Sequence, residues 1–198
     1  VLNFDDADPA VRRLCRLLKA FCLTAFSTVS RWAALHTLQR SDLYEEDGML
    51  FLNISRHKTR KYGHHHDPKP IVIGDPSSES DRQMNAALAL KSLFDDDPIG
   101  PGENLSNVPL FRLIDNSQWS YKHALRSLRN ICSATGLNPK HYGTHSCRIG
   151  GATCALDTPH VSQLVVKATG YWKATKSVTV YTKPTRQQMT TMQNHMTE

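Results

Sequence analysis

The apolar residues of the first thirty positions recur with the period of an α-helix. Asp8-Pro9 marks the start of this segment, with Pro9 suited to the first helical position. Apolar side chains then follow every third or fourth residue, at Val11, Leu14, Leu17, Leu18, Phe21, Cys22 and Ala25. This pattern predicts one long helix with a wide apolar face, and a second, shorter helix is predicted over residues 31–38.

The pattern changes to that of β structure between Asp42 and Ile73. The run 49–54 is a predicted strand, and Glu45-Glu46-Asp47-Gly48 before it is a predicted hairpin turn. A further strand is predicted over 70–74, where Gly74 ends it. This part of the chain is therefore expected to form a small three-stranded antiparallel sheet.

The remainder of the chain is predicted to be helical. Helices are expected over 80–94, 119–135, 147–156, 158–168, 175–182 and 185–196. A polar Pro- and Gly-containing loop is expected over 98–109, and Gly136 and Gly170 are expected to end helices. The fold class predicted is α+β, mostly α.

The charge is unevenly distributed along the chain. It has 198 residues, enough for one sizeable domain, a formal net charge of +6 and a pI of about 9.1. Residues 1–100 contain 13 Lys and Arg against 14 Asp and Glu, whereas residues 101–198 contain 11 against 4. A basic C-terminal half favours a polyanionic partner, although an ordinary basic surface has the same excess.

The five cysteines indicate reduced thiols in an intracellular protein. Their number is odd and no C-x-x-C pair occurs, so neither a disulfide framework nor a zinc site is expected. No long apolar run predicts a membrane span. The chain begins at Val1 rather than Met, and we expect an upstream piece to have been removed.

Four residues of the last third suggest chemistry on a phosphodiester. His145 and Arg148 are three residues apart at the start of a predicted helix, Trp172 comes two residues after Gly170, and Tyr181 lies nine residues after Trp172. Arginine matches the geometry of phosphate, histidine transfers protons near neutral pH, and an activated tyrosine is a covalent nucleophile.

The segment from His145 to Tyr181 resembles the core of the tyrosine recombinases, or phage-type integrases. That family has H-x-x-R, then His or Trp, then Tyr about nine residues later; the Trp form here is similar to Cre-like and eukaryotic mobile-element recombinases. The likeness covers roughly residues 8–184, and it implies that 1–198 is the catalytic domain, without the upstream core-binding domain.

The resemblance extends to an arginine and a lysine nearer the N-terminus. Arg31, in Arg31-Trp32-Ala33-Ala34-Leu35, matches the family's first arginine, and Lys58 matches the lysine of its β-hairpin. The family's common acidic residue is Ala34 here; Asp42 or another carboxylate is a candidate replacement.

Several residues allow other interpretations. Tyr171 and Tyr142 are alternative nucleophiles to Tyr181, and His141 is an alternative proton donor. His64-His65-His66 resembles a metal clamp, but adjacent histidines of a strand do not share a face, and contact with DNA fits better. The nearby basic residues Arg56, Arg60 and Lys61 are candidate phosphate contacts.

The resemblance implies site-specific recombination of double-stranded DNA. Tyr181 would form a 3′-phosphotyrosine, helped by Arg31, Lys58, His145, Arg148 and Trp172, with neither metal nor cofactor. A homotetramer on two duplexes is implied, with residues 185–198 as a candidate exchange segment. The protein would be intracellular and DNA-associated, and nuclear if it comes from a eukaryotic mobile element.

Three other functions stay open on the sequence. A decayed or domesticated recombinase would bind DNA without turnover, and Ala34 favours this alternative. A type IB topoisomerase-like or hairpin-resolving enzyme would share the chemistry but yield another product. A helical interaction domain that does not bind DNA is the third.

Overall fold

The computed structural model of the chain describes residues 8–47, 49–54, 69–72, 83–158, 161–173 and 178. Helix α1 is Pro9–Ser27, as the apolar pattern predicts. The Asp8 carboxylate accepts a hydrogen bond of 2.7 Å from the Ala10 N–H, and Pro9 occupies the first helical position, where no N–H is needed. On the apolar face of α1, Leu17 and Phe21 are almost inaccessible to solvent, whereas Val11 in the first turn is half exposed.

Helix α2, Trp32–Leu35, is shorter than the helix predicted over 31–38. Arg31 precedes it in an extended conformation, as its N-cap residue. After α2, Gln39 and Asp42 form a reciprocal capping box around the 3₁₀ turn Arg40–Asp42, which redirects the chain into the sheet.

The sheet is antiparallel throughout. Its strands are β1, Leu43–Glu46; β2, Met49–Leu52; and β3, Lys69–Val72. Among the described residues the strand order is β1-β2-β3, with Leu43 opposite Leu52 and Leu50 opposite Ile71. Leu52 and Ile71 are buried in the main core, so the sheet packs one face against the helices.

The second half of the described chain is helical. Its helices are α3, Ala86–Asp95; α4, Tyr121–Ala134; α5, Ser146–Asp157; and α6, Gln163–Thr169. Single 3₁₀ turns lie at Leu105–Asn107 and Pro139–His141. The prediction of a mostly helical chain with a small sheet is confirmed.

Two of the predicted helices contain an N-cap residue that the periodicity did not indicate. In the predicted helix over 80–94, residues 80–82 lie outside the described part, Gln83 and Met84 are helical, and Asn85 interrupts the helix. The Asn85 side chain accepts the Leu88 N–H at 3.0 Å and caps α3, which begins at Ala86. The predicted helix over 158–168 begins at Gln163, where the Ser162 hydroxyl accepts the Val165 N–H. The helices predicted over 175–182 and 185–196 lie outside the described residues, apart from Val178.

The main core is centred on aromatic rings. Phe21 of α1 contacts the rings of Trp32, Phe111 and Trp119, with centroid distances of 4.7, 5.2 and 5.6 Å. Tilted and edge-on ring pairs of this kind add to the free energy of burial. Trp32 follows Arg31 directly, so this cluster fixes the backbone that carries the arginine. No helix in the described parts of the chain has the length and apolar character to cross a membrane.

A buried carboxylate ties distant segments together. Asp97 forms ion pairs with Arg13 at 2.6 Å, Arg40 at 2.6 Å and Arg112 at 2.9 Å, and all four residues are at most 8% exposed. Burial alone would raise the pKa of Asp97, but the hydrogen bonds and positive charges of the arginines outweigh it and lower the pKa. The pairs join α1, the turn after α2 and the chain around Arg112 to the end of α3.

Replacing Asp97 with Ala should destabilise the fold by about 3–5 kcal/mol, because it leaves buried guanidinium groups without their carboxylate. Urea unfolding followed by circular dichroism measures the loss. The neighbouring Asp96 pairs with Arg16 at the surface, so Asp96→Ala is the matched control and should cost about 1 kcal/mol or less. Equal losses for the two variants would contradict the assignment.

Candidate active site

The C-terminal turn of α1 carries the first part of the site. The Ser30 N–H donates to the Ala25 carbonyl at 3.0 Å and the Val29 N–H to the Phe26 carbonyl at 3.2 Å. This is the Schellman arrangement, which needs a left-handed residue just after the helix. That residue is Val29, with φ of 51°. Arg31 lies two residues after Val29, so this turn sets where Arg31 lies.

The end of α6 has the same geometry. The Trp172 N–H donates to the Lys167 carbonyl and the Tyr171 N–H to the Ala168 carbonyl, both at 3.0 Å, and Tyr171 has φ of 52°. In the corresponding turn after α4, the left-handed residue is Gly136, for which this conformation is unstrained. A branched or aromatic residue in its place costs roughly 1–2 kcal/mol, so packing must hold Val29 and Tyr171 there.

Arg148 joins these two turns. Its Nη1 donates to the Val29 carbonyl at 2.6 Å and its Nη2 to the Gly170 carbonyl at 2.7 Å. Carbonyls at helix C-termini carry partial negative charge, which suits a cation. The guanidinium also lies 3.8 Å from the centroid of the Trp172 ring, in a cation–π contact. These contacts hold the guanidinium in one position. Because the two carbonyl acceptors are neutral, they do not cancel its positive charge.

Glycines allow the close packing around Arg148. A Cβ on Gly170 would lie 1.8 Å from the Trp172 ring, and a Cβ on Gly151 would lie 2.1 Å from the Phe26 carbonyl oxygen. Neither position accepts a side chain without movement of its neighbour. The prediction that Gly150-Gly151 allows the helix with the H-x-x-R motif to pack closely is confirmed, with α1 as the partner.

His145 stands at the N-cap of α5, within the field of both arginines. Burial lowers its pKa below the ordinary value, and the charges of Arg148 and Arg31 lower it further. The imidazole is therefore neutral near pH 7 and able to accept a proton. In the described part of the chain, Arg31 is half-buried and forms no salt bridge.

Four predicted site residues thus come together: Arg31, His145, Arg148 and Trp172. Predicted residues outside the described part are Lys58, Tyr181, Arg56, Arg60, Lys61 and the histidines 64–66. Val178, three residues before Tyr181, is fully buried in a small cluster with Val29, Ala152, Val166 and Trp172. That cluster places Val178 close to Trp172, whose ring contacts Arg148.

Two alternatives raised by the sequence have other surroundings. His141 is exposed, with its ring nitrogen 3.5 Å from the Asn138 side-chain amide. Tyr171 packs against the main core from its left-handed position. Among the described residues, no group of three or more His, Cys, Asp or Glu side chains could hold a metal ion.

A buried alanine stands where the resemblance to tyrosine recombinases predicts an acidic residue. Ala34 is 8% exposed, and the candidate replacement, Asp42, accepts the Gln39 N–H at 2.8 Å as part of the turn after α2. The charges that act on His145 are both cations. With alanine instead of an acidic residue at position 34, the site has one negative charge fewer.

The sequence did not indicate the backbone acceptors of Arg148. Gly170 was expected only to end a helix, and nothing in the sequence around Val29 distinguishes it from another apolar residue. A valine in a left-handed helix-ending turn has no sequence signature.

Comparison with known proteins identifies the fold. Neither protein-family models nor curated proteins match the chain. The XerH site-specific recombinase bound to its difH substrate, in a pre-cleavage complex, superposes with a TM-score of 0.62 and 18% identity, over 90% of this chain and 45% of that chain. Its post-cleavage complex with palindromic difH gives a TM-score of 0.66 and 18% identity, over 98% and 50%.

A third solved structure, the XerA recombinase, gives a TM-score of 0.62 and 16% identity, over 93% of this chain and 63% of that chain. At these identities the likeness establishes a shared fold. The chain spans about half of the XerH length and less than two-thirds of the XerA length.

The pKa of His145 tests the proximity of the two arginines. It should lie below about 6.5, and Arg31→Met should raise it, because removing a positive charge favours the imidazolium. The stability that His145 contributes is present above its unfolded pKa and is lost as the pH falls through its folded pKa. NMR titration of the His145 Cε1–H resonance measures the folded pKa in the wild type and in Arg31→Met.

Arg126→Met is the control for this titration. Arg126 is an exposed arginine of α4 that is not among the charges acting on His145. The Arg126→Met substitution should leave the pKa of His145 unchanged. An unchanged His145 pKa in Arg31→Met would show that the arginine does not face the histidine.

Proposed function

We propose that the chain is the catalytic domain of a tyrosine recombinase, which cleaves and rejoins DNA through a 3′-phosphotyrosine at Tyr181. The observation that carries this proposal is the convergence of Arg31, His145, Arg148 and Trp172 on two helix ends. Their order along the chain is that of the recombinase motif, and the fold is shared with XerH and XerA. The basic C-terminal half supports DNA as the partner.

Arg31 and Arg148 stabilise the charge on the scissile phosphate. The two carbonyl bonds of Arg148 hold its guanidinium in place, and the planar charged group matches the non-bridging oxygens of a phosphate. A pre-positioned cation stabilises the pentacovalent transition state at little reorganisation cost. Arg148 is only 2% exposed, so DNA binding has to open the surface that covers it. Cleavage is thereby coupled to DNA binding.

Proton transfer accompanies the attack. The neutral His145 accepts the proton of the Tyr181 hydroxyl while the phenolic oxygen bonds to phosphorus. The bond to the 5′-oxygen breaks, and Lys58 supplies the proton to that leaving oxygen. Trp172 donates its indole N–H to a phosphate oxygen, and its ring supports Arg148. The phosphotyrosine retains the bond energy, so neither a metal nor a nucleotide cofactor is needed.

Strand exchange follows when a 5′-hydroxyl of another duplex attacks the phosphotyrosine. Arg56, Arg60 and Lys61 contact phosphates of the bound duplex. Four copies assemble on two duplexes, with residues 185–198 exchanged between neighbours, in a DNA-associated protein inside the cell. Sedimentation of the DNA complex tests this: a chain ending at Lys183 should still fold but no longer form tetramers, and normal tetramers would refute the exchange.

A second function is DNA binding without turnover, as in a domesticated recombinase. Ala34 favours it, because a buried alanine stands where the family has an acid and Asp42 is bound to the Gln39 N–H. The two functions differ in one step, the formation of the covalent intermediate.

Covalent trapping separates the two functions. Cleavage just before a nick releases a short fragment, so the phosphotyrosine cannot be resealed and accumulates. The wild-type chain should give a protein–DNA band on a denaturing gel, Tyr181→Phe should give none, and Arg148→Ala should form it about 10²–10³-fold more slowly.

Tyr171→Phe is the matched control, and it should retain the band. A band that survives in Tyr181→Phe but is lost in Tyr171→Phe would identify Tyr171, instead of Tyr181, as the nucleophile. Tight DNA binding without any band would favour the non-catalytic function.

A further inference from the structure

Helices α1 and α5 approach closely enough for their backbones to touch. Gly151 of α5 lies directly against the Phe26 carbonyl of α1, and Gly150 faces the Phe26 ring. One helical turn before Gly151 is Cys147, and one turn before Phe26 is Cys22. Residues four apart share a helix face, so the two cysteines continue the same contact.

The two thiols meet. Cys22 and Cys147 lie close enough for each thiol to shift the pKa of the other, and both residues pack against the main core while remaining partly exposed. Cys147 is the second residue of α5, and a helix N-terminus favours a thiolate. The interaction with Cys22 lowers the pKa of Cys147, while the interaction with Cys147 and burial raise the pKa of Cys22. Cys147 is therefore the thiol that reacts first, and Cys22 is the thiol that attacks the oxidised Cys147.

We propose that Cys22 and Cys147 form a redox-reactive pair that hydrogen peroxide closes to a disulfide, disabling the adjacent site. The Cys147 thiolate attacks one peroxide oxygen, which breaks the O–O bond and gives a sulfenic acid and hydroxide. The Cys22 sulfur then displaces the sulfenic oxygen, which leaves as water with the thiol proton. Both sulfurs are oxidised by one electron each, and the peroxide is reduced to water.

Closing the bond has to move the first turn of α5. A disulfide holds its sulfurs about 2.05 Å apart, closer than a thiol–thiol hydrogen bond. The helices cannot approach as rigid bodies, because Gly151 already contacts the Phe26 carbonyl. The turn that moves carries His145 and Arg148, and Arg148 is bonded to Val29 just beyond α1. Oxidation therefore displaces the arginine; the resulting loss of activity rests on the proposed function.

Of the other three cysteines, Cys132 also acts on Cys22, as the smallest of the effects that raise its pKa. Cys154 is exposed two turns after Cys147, and Cys15 lies two turns before Cys22, about 10 Å along each helix in opposite directions. Cys132 is buried in α4. Cys154→Ser is therefore the matched control, since it changes a thiol on the same helix away from the pair.

The experiment exposes the chain to hydrogen peroxide, blocks the remaining thiols and maps the disulfides by mass spectrometry. A peptide linking Cys22 to Cys147 should dominate, should persist in Cys154→Ser, and should be absent in Cys22→Ser and Cys147→Ser. A dithiol reductant should reverse it. Links to other cysteines, or a sulfenic or sulfinic acid at Cys147 without a link, would overturn the pair.

Two readouts then test its effect on the site. The NMR signals of His145 should shift on oxidation in the wild type but not in Cys22→Ser, whether or not the chain cleaves DNA. Covalent trapping should fall by about 100-fold and recover on reduction, the loss expected when one positioned donor is removed. A mapped disulfide with unchanged His145 signals would overturn the switch, and a shift without any trapping by the reduced protein would instead count against the proposed function.

Discussion

The bonds from Arg148 to two helix ends are the interaction on which the site depends. One guanidinium connects the turn after α1, 119 residues earlier, with the end of α6, 22 residues later. Burying a charge is costly, and here carbonyl dipoles and the Trp172 ring compensate it. An anion can then use the charge that these contacts position, so the residue that holds the helix ends together is also the one that we assign to the phosphate.

Strain and packing act together around this arginine. Val29 and Tyr171 hold left-handed conformations that a glycine would adopt without strain, as Gly136 does after α4. The Val29 side chain is held in the small cluster with Ala152, Val166, Trp172 and Val178. Because packing enforces the turn, the Val29 carbonyl faces Arg148 and the next residues lead directly to Arg31. Rigid placement of charge is what electrostatic catalysis requires.

The sequence predicted those features that depend on side-chain identity. Asp8-Pro9 at the start of α1 and Gly136 after α4 carry local signals, and both act as expected. The site arginines and His145 followed from a motif. The capping roles of Asn85 and Ser162 were missed because apolar periodicity continued past them, and it gives no exact helix start. The long-range contacts had no signal at all: every residue has a carbonyl, and in Asp95-Asp96-Asp97 nothing marks the last one as the buried partner of three arginines.

The central claim is that the positive charge of Arg148 acts on the scissile phosphate. The most direct measurement is cleavage by Arg148→Ala of a DNA whose scissile phosphate is replaced by an uncharged methylphosphonate, compared with the ordinary phosphate. If Arg148 neutralises charge on the phosphate, the variant should fail on the phosphate and recover covalent cleavage on the neutral linkage, while Tyr181→Phe fails on both. Failure of Arg148→Ala on both linkages, in a protein that is folded and binds DNA, would contradict the account.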